Sequence, residues 1–436
     1  MKKRYTILLS LFAFTCLEVT AAANEEVNRD REHSVKQLIG EVAKRDTKEM
    51  GVVDEVRHMF TGGKVTGQIR SMYMQYNEKN SNNSYATALG GTLKYELAEY
   101  KGFSGGVAFI TSHDINYLSG EGDKRNPELS GADRSYTQVE EAYITYSYEN
   151  LLLKAGRQIF DTPLADSDDV RMIPNSFEAY TALYEAENFT LMLGHFDRWQ
   201  GSDAGLENKW VKTGKDGANF AGLTYDGKVL EGNLWVYNFS NASESDIANG
   251  ADANGNNSYY VDFGGHYHIN KDMFVHGVVQ YLKQEELSHS GVAAEIYGAT
   301  GEFVVNGLGL NVGYNESKRK AGKHSFSGYG GGTLFTNMDA MILDEITEDR
   351  SAHAWVAGVS YALGDMNFLY AYGDFKGDAD TTGAKAHIVE QNIGFEYTYN
   401  EELTVAGLYG IDRNREDSSS TDFNNDNFRV LVAYNF

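Results

Sequence analysis

From Lys64 onward, apolar and polar residues alternate with a period of two. The last segment shows it most clearly. Phe428, Val430, Val432, Tyr434 and Phe436 alternate there with Arg429, Leu431, Ala433 and Asn435. Tyr259, Val261, Phe263, Tyr267 and Ile269 interleave with Asp262, Gly264, His266 and His268, and Leu308, Leu310, Val312 and Tyr314 with Gly309, Asn311, Gly313 and Asn315. Segments beginning at Trp355 and Leu403 repeat the pattern. Successive side chains of a strand point to opposite faces, so alternation sets one face in an apolar medium and the other in a polar one. Segments 151–160 and 292–305 have mixed parity, so a bulge or a misread strand is expected there.

The pattern predicts eighteen strands: 64–77, 84–98, 103–113, 136–148, 151–160, 177–184, 189–198, 219–225, 230–238, 257–268, 273–284, 292–305, 308–317, 352–362, 367–374, 388–399, 403–412 and 427–436. Gap lengths separate the membrane reading from the soluble one. Tight turns fall at 100–102, 149–150, 185–188, 226–229, 269–272, 306–307, 363–366 and 400–402. Between them lie long polar segments, among them 114–135, 161–176, 199–218, 239–256, 318–351, 375–387 and 413–426. Short turns at one end and long loops at the other are the asymmetry of outer-membrane barrels. An even strand count puts both termini at the short-turn, periplasmic end. The predicted fold is all-β, a transmembrane antiparallel β-barrel of about eighteen strands over 64–436. In lipid only a closed sheet leaves no strand edge unpaired. With that many strands, the lumen is wide enough for water.

The chain ahead of the barrel reads differently. Lys2, Lys3 and Arg4 form a basic start, Tyr5 to Leu17 an apolar run, and Ala21, Ala22 and Ala23 a small-residue cleavage site. Residues 1–23 therefore read as a signal peptide cut before Asn24, with an apolar run too short for a spanning helix. In 24–63, Ser34 and Gln37 have capping-box spacing, and Val35, Leu38, Ile39 and Val42 share one helical face. Val52, Val53, Val56 and Met59 or Phe60 give a second such pattern. This stretch is expected to be a partly ordered periplasmic leader, since helices this short are marginal alone.

Composition agrees with the barrel. The 436 residues include 29 Tyr, 22 Phe and 46 Gly but 3 Pro, which suits strands with two unlike faces. The single cysteine, Cys16, leaves with the signal peptide, so the mature chain has neither disulfide nor cysteine metal site. A net charge of -24 argues against nucleic acid as a partner, because phosphate neutralisation needs clustered cations.

The segment after the fifth strand is too apolar for a loop waving in water. Phe160, Leu164, Met172, Ile173 and Phe177 lie there with Pro163 and Pro174, two of the three prolines. Proline fixes φ, so a rigid loop folded inward near 161–176 is expected. Gly156-Arg157-Gln158, Pro163, Asp169-x-Arg171 and Pro174-x-x-Phe177 together resemble the OprD-type substrate-specific porins, in the branch found in ε-proteobacteria. Lys64-Val65-x-Gly67-Gln68-x-Arg70 and the aromatic C-terminus are similar to the same family. The resemblance runs from about Val52 to Phe436. It implies an eighteen-stranded barrel, with assembly in threes known among such barrels, whose third extracellular loop narrows the pore. Related members pass small carboxylates, amino acids or peptides along a row of basic lumen residues. Here the loop is acidic, with Asp161, Asp166, Asp168 and Asp169, so the charge of the solute stays open.

The expected constriction places Arg70, Lys94, Arg157 and Arg171 opposite Asp168 and Asp169, since opposed charges select solutes by sign and dipole. Arg70 shares a polar face with Thr66 and Gln68, and Lys94 one with Glu96. A charge facing lipid at mid-depth costs about 2–4 kcal/mol, so both are assigned to the lumen. Arg157 conflicts with Lys154, which has opposite parity on the same strand. Other candidates read as structural. His266 and His268 share a strand face and are taken as lumen histidines rather than a metal pair. The stretches Asn249–Asn257 and Asp422–Asn427 lack calcium-loop spacing, and the Gly330-Gly331-Gly332 run lacks a strand–helix context for phosphate.

The functional expectation is an outer-membrane porin for passive diffusion of small hydrophilic solutes, with no cofactor, no metal and no catalysis. Its expected partners are outer-membrane lipid and lipopolysaccharide, small solutes, the barrel-assembly machinery through Phe436, and two further copies in a homotrimer. An outer-membrane barrel enzyme (a phospholipase or protease) and an adhesive barrel using its long loops are the rival readings.

Overall fold

The structure is a computed structural model and describes residues 52–79, 82–206, 209–251, 253–400, 402–416 and 424–436. The expected signal peptide, the helical pattern beginning at Ser34 and parts of both Asp/Asn-rich stretches lie outside the described residues. A helix at Val52–Thr61 precedes the barrel. The Tyr100 hydroxyl donates to Glu55 Oε2 (2.5 Å) and the Ala98 amide to the Met59 carbonyl (3.0 Å), which seats the helix on the short-turn end.

The strands are β1 (Lys64–Glu78), β2 (Ser84–Glu96), β3 (Phe103–Asp114), β4 (Ser135–Tyr148), β5 (Leu151–Gln158) and β6 (Ser176–Ala186). There follow β7 (Phe189–Gln200), β8 (Val211–Lys212), β9 (Ala218–Asp226), β10 (Leu230–Phe239), β11 (Asn256–Asn270) and β12 (Met273–Glu286). The chain ends with β13 (Ala294–Val305), β14 (Leu308–Ser317), β15 (Ala352–Leu363), β16 (Met366–Gly377), β17 (Ala386–Tyr399), β18 (Leu403–Asn414) and β19 (Asn425–Asn435). All pairings between these strands are antiparallel, and β1 meets β19 from Gln68–Asn435 to Glu78–Asn425, so the sheet closes. The two-residue β8 touches β7 alone, while β7 continues directly to β9. Eighteen strands thus form the wall and β8 is an extra, within a segment expected to be loop.

Outward positions carry the apolar belt. Ile69, Ile144, Leu193, Val312 and Val432 are exposed at the barrel exterior. Arg70, next to Ile69, is only 7% exposed because it points inward. The inner face departs from simple alternation. On β1, inward Thr66, Gln68 and Arg70 give way to inward Met72 and Met74, both buried. These two pack with Leu129, Met172, Ile173 and Leu206 from three loops. A larger cluster joins Phe160, Leu164, Tyr329, Leu334 and Met341 from inward-folded segments to Phe196, Tyr237 and Val356 on the wall. The outer half of the lumen wall is therefore apolar because loops cover it.

No bulge lies behind the mixed parity: in β5 and β13 the inward positions include apolar Leu152 and Val304 near the short-turn end and Ile296 farther out, where the larger cluster covers it, all three buried. Their own registers run unbroken. The register shifts fall elsewhere: opposite Ala108/Phe109, which leaves Glu140 extra in β4, opposite Glu178/Ala179, which leaves Asp197 extra in β7, and at His268/Asn270. A bulge lets neighbours share one face, and Glu140 and Glu141 are both buried inward.

Val312→Arg is expected to lower folding stability in lipid vesicles by about 2–4 kcal/mol, since it puts a charge at the belt. Asn311→Arg, on the inner face of the same strand, is expected to cost far less in the same denaturant titration.

Candidate constriction site

The loop from Phe160 to Asn175 folds into the barrel. Its apolar residues drive this: Leu164, Met172, Ile173 and the flanking Phe177 are fully or nearly buried, and Phe160 stacks on Phe177 at 4.6 Å. Local polar bonds hold its shape. Ser167 donates to Asp161 Oδ1 from its amide (2.9 Å) and its hydroxyl (2.8 Å), and the Asn175 amide donates to the Ser167 carbonyl (2.6 Å). The Asp168 amide donates to Asp166 Oδ1 (2.8 Å), and Asp168 adopts φ 38°, a turn conformation that aspartate tolerates.

The loop is latched to the wall by charge. Arg70 on β1 grips both carboxylate oxygens of Asp169 through its two terminal nitrogens and also donates to the Arg171 carbonyl (2.8 Å). Gln68 supports the guanidinium from its Nε side. A bidentate guanidinium–carboxylate pair fixes direction as well as distance.

A second segment, 318–351, also folds inward and locks to the first. The Asp166 amide donates to the Tyr329 carbonyl (2.9 Å), the Tyr329 amide to Leu164 (3.0 Å) and the Gly331 amide to Asp166 Oδ1 (3.0 Å). The glycine run lets backbone approach this closely: a Cβ on Gly330, with φ +110°, would lie 2.3 Å from the Asp166 carbonyl. This segment has its own latch. Arg429 on β19 pairs with Asp339, and Glu390 on β17 accepts from the amides of Ala340 (3.1 Å) and Met341 (2.7 Å).

Between the two apolar clusters runs a charged seam. Arg171 reaches Asp203 (3.3 Å) and Glu128 (4.0 Å), which come from two further loops. Tyr76 donates to Glu128 (3.0 Å) and Asn175 to Asp203 (2.7 Å). Burial, then the neighbouring Asp203, pushes the Asp168 carboxyl up to about 8. Burial, then Asp161, pushes Asp166 up to about 7.

Of the residues expected at the constriction, the structure brings Arg70, Asp168, Asp169 and Arg171 together. Lys94 faces the lumen but lies lower. Gly90, not Lys94, sits opposite Arg70, and four residues of strand put Lys94 about 13 Å toward the periplasm. It pairs there with Glu141 (2.9 Å), which Lys154 also approaches (3.4 Å) over the Tyr143 ring. Arg157 is the correction. It pairs across β5 with outward Ala142 and its guanidinium lies 4.7 Å over the Trp210 ring, on the outside of the barrel. Lys154 and Arg157 are three apart in a strand, so they must face opposite ways, and Lys154 takes the lumen.

Glu128, Asp203, Asp339 and Arg429 were missed. Arg429 carried a signal, being a lone cation on the polar face of the strand that neighbours Arg70. The three acids carried none, because every long segment is rich in them. His266 and His268 face inward with His276 nearby, ring centres 5.7 and 6.5 Å from His266. Among the described residues no group of three or more His, Cys, Asp or Glu is arranged to hold a metal ion.

The barrel has counterparts among solved structures. OpdK of Pseudomonas aeruginosa, solved with vanillate, superposes with a TM-score of 0.70 at 15% identity, covering 86% of this chain and 99% of that one. OccAB3 of Acinetobacter baumannii gives 0.71 at 15% identity, with 86% and 99% covered. A BenF-like porin of Pseudomonas fluorescens Pf-5 gives 0.70 at 15% identity, with 86% and 98% covered. These neighbours are OprD- and OccK-type porins, and the likeness is one of fold. No protein-family model and no curated protein matches the sequence.

Arg70→Ala and Asp169→Ala are each expected to raise single-channel current by freeing the loop. Combined in a stability cycle they should show a coupling of about 1–3 kcal/mol, since each removes the same pair. Arg157→Ala is expected to leave both current and ion preference unchanged.

Proposed function

We propose that the chain is an integral outer-membrane porin of the OprD type, in its ε-proteobacterial branch, passing small hydrophilic solutes by diffusion. The observation that carries this reading is the pair of inward segments, 161–176 and 318–351, each latched to the wall by an arginine–carboxylate pair. A barrel built to display adhesive loops gains nothing from charged latches inside its own lumen. Arg70, Asp168, Asp169 and Arg171 form the narrow part of the path. Lys94 acts below it, in the periplasmic vestibule, with Lys154. OpdK, a protein of this fold, was solved with vanillate, which supports solutes of similar size, carboxylates, amino acids or short peptides among them.

The other partners follow from placement. The exposed apolar belt contacts outer-membrane lipid, with lipopolysaccharide in the outer leaflet. The exposed Phe436, whose amide donates to the Gly67 carbonyl (3.0 Å), is the terminal aromatic that the barrel-assembly machinery would engage. A homotrimer is the proposed assembly, and no catalytic role is assigned.

Liposome swelling tests the reading. Vesicles holding the purified protein should swell in isosmotic arabinose or glycine and much more slowly in a large oligosaccharide. Equal, background swelling in all three would leave the adhesive or enzymatic reading standing instead.

A further inference from the structure

The helix at Val52–Thr61 leaves large apolar side chains uncovered. Val53 is 73% exposed, Val56 42% and Phe60 60%, and among the described residues nothing buries them. Their spacing gathers them on one side. Glu55 and Met59, one turn apart, are half-buried and mark the line of contact with the barrel. At about 100° per residue, Val53, Val56 and Phe60 fall on one flank of that line, and Asp54, His58 and Thr61 on the other. Arg57 lies on the side away from the barrel and pairs with Asp54 (3.5 Å).

The helix runs along the rim rather than across the mouth. Near its end, the Tyr95 hydroxyl donates to the Phe60 carbonyl and the Ala98 amide to the Met59 carbonyl. Near its start, Glu55 accepts from Tyr100, in the turn between β2 and β3. Tyr95 decides the side of the wall. Lys94 and Glu96 face the lumen, so Tyr95 between them faces out, two residues from exposed Leu93. Its partner across the ladder is Val65, also exposed, and Phe103 and Phe436 are exposed at the same rim. Phe60 therefore continues an apolar edge that already belongs to the lipid-facing surface. Aromatic girdles of such barrels sit at the membrane–water interface. A helix with one apolar flank and one charged flank lies in that plane.

We propose that this helix is an interfacial anchor, with Val53, Val56 and Phe60 dipped among the phospholipid chains of the periplasmic leaflet. Continuity with the lipid-facing rim identifies the occupant, since the flank begins where the belt ends. The inference goes beyond the diffusion channel and adds a membrane contact outside the barrel wall. It also sets the start of the described chain at the membrane surface beside the barrel, off the axis of the pore.

Nitroxide labels on the whole chain in phospholipid vesicles test the anchor, in a background with Cys16 replaced by serine. Val56→Cys and Phe60→Cys report the apolar flank, Asp54→Cys and His58→Cys the polar one, and Ile69→Cys the belt. Relaxation by dissolved oxygen, which concentrates in lipid, is compared at each label with relaxation by a water-soluble nickel chelate. The oxygen-to-nickel ratio at Val56→Cys and Phe60→Cys should exceed that at Asp54→Cys and His58→Cys severalfold and approach that at Ile69→Cys. Adding Val53→Ser and Val56→Ser should lower the ratio at Phe60→Cys severalfold and leave that at Ile69→Cys unchanged. Weak relaxation by both reagents on the apolar flank would mean that protein covers it, whether the leader or a second copy, and would overturn the anchor. Strong nickel relaxation there would mean open water and overturn it too. Nickel access at Ile69→Cys as well would overturn the membrane placement of the barrel itself.

Discussion

The constraint on which the rest depends is closure of the backbone hydrogen-bond network. A strand in hydrocarbon cannot leave its amides and carbonyls to water, so the first and last strands must find each other. They do so over eleven consecutive partners, from Gln68–Asn435 to Glu78–Asn425. Closure then forces two surfaces on every strand. The outer one must be oil-compatible along its middle, which Ile69, Val312 and Val432 satisfy. The inner one is freed from lipid and can hold arginine, glutamate and lysine.

That freedom is used unevenly. Near the periplasmic mouth the inner wall is polar, with the Lys94–Glu141–Lys154 group around Tyr143. Farther out it turns apolar, and the inward segments bury that surface as a soluble core would. Hydrophobic burial supplies the adhesion, but it has little directional preference. The charged latches supply direction. Arg70 and Arg429 lie on adjacent strands, so both inward segments are pinned to the same side of the barrel. The charged seam is what remains where the two apolar clusters fail to meet. Burying such a seam costs desolvation that apolar residues of similar size would not.

Much of this was readable from the residues because oil and water impose a period of two that little else imitates. The eighteen wall strands fall where alternation put them, and Phe428 to Phe436 shows its apolar face outward as expected. The inward third loop was also readable, since Phe160, Leu164, Met172 and Ile173 have no place in water. The same criterion applies to 318–351, whose Phe326, Leu334, Met338, Met341 and Ile346 are equally buried, but its length and its glycine run masked the signal. Arg157 was misplaced because a motif was weighed above parity, which already required either it or Lys154 to face outward. The two-residue β8 leaves no periodic trace at all. Glu128, Asp203 and Asp339 could not be chosen from among many loop acids, because their meeting depends on how four segments fold over one another.

The central claim is that adjacent residues on these strands meet lipid and water in turn around an enclosed passage. Thr66, Gln68, Val65 and Ile69 on β1, each replaced singly by cysteine in a background with Cys16 replaced by serine, test it most directly. In lipid vesicles, Thr66→Cys and Gln68→Cys should react with a small charged thiol reagent, while Val65→Cys and Ile69→Cys should resist it and be quenched by bromolipid when fluorescently labelled. Equal reactivity at all four positions, or quenching that ignores parity, would contradict the account.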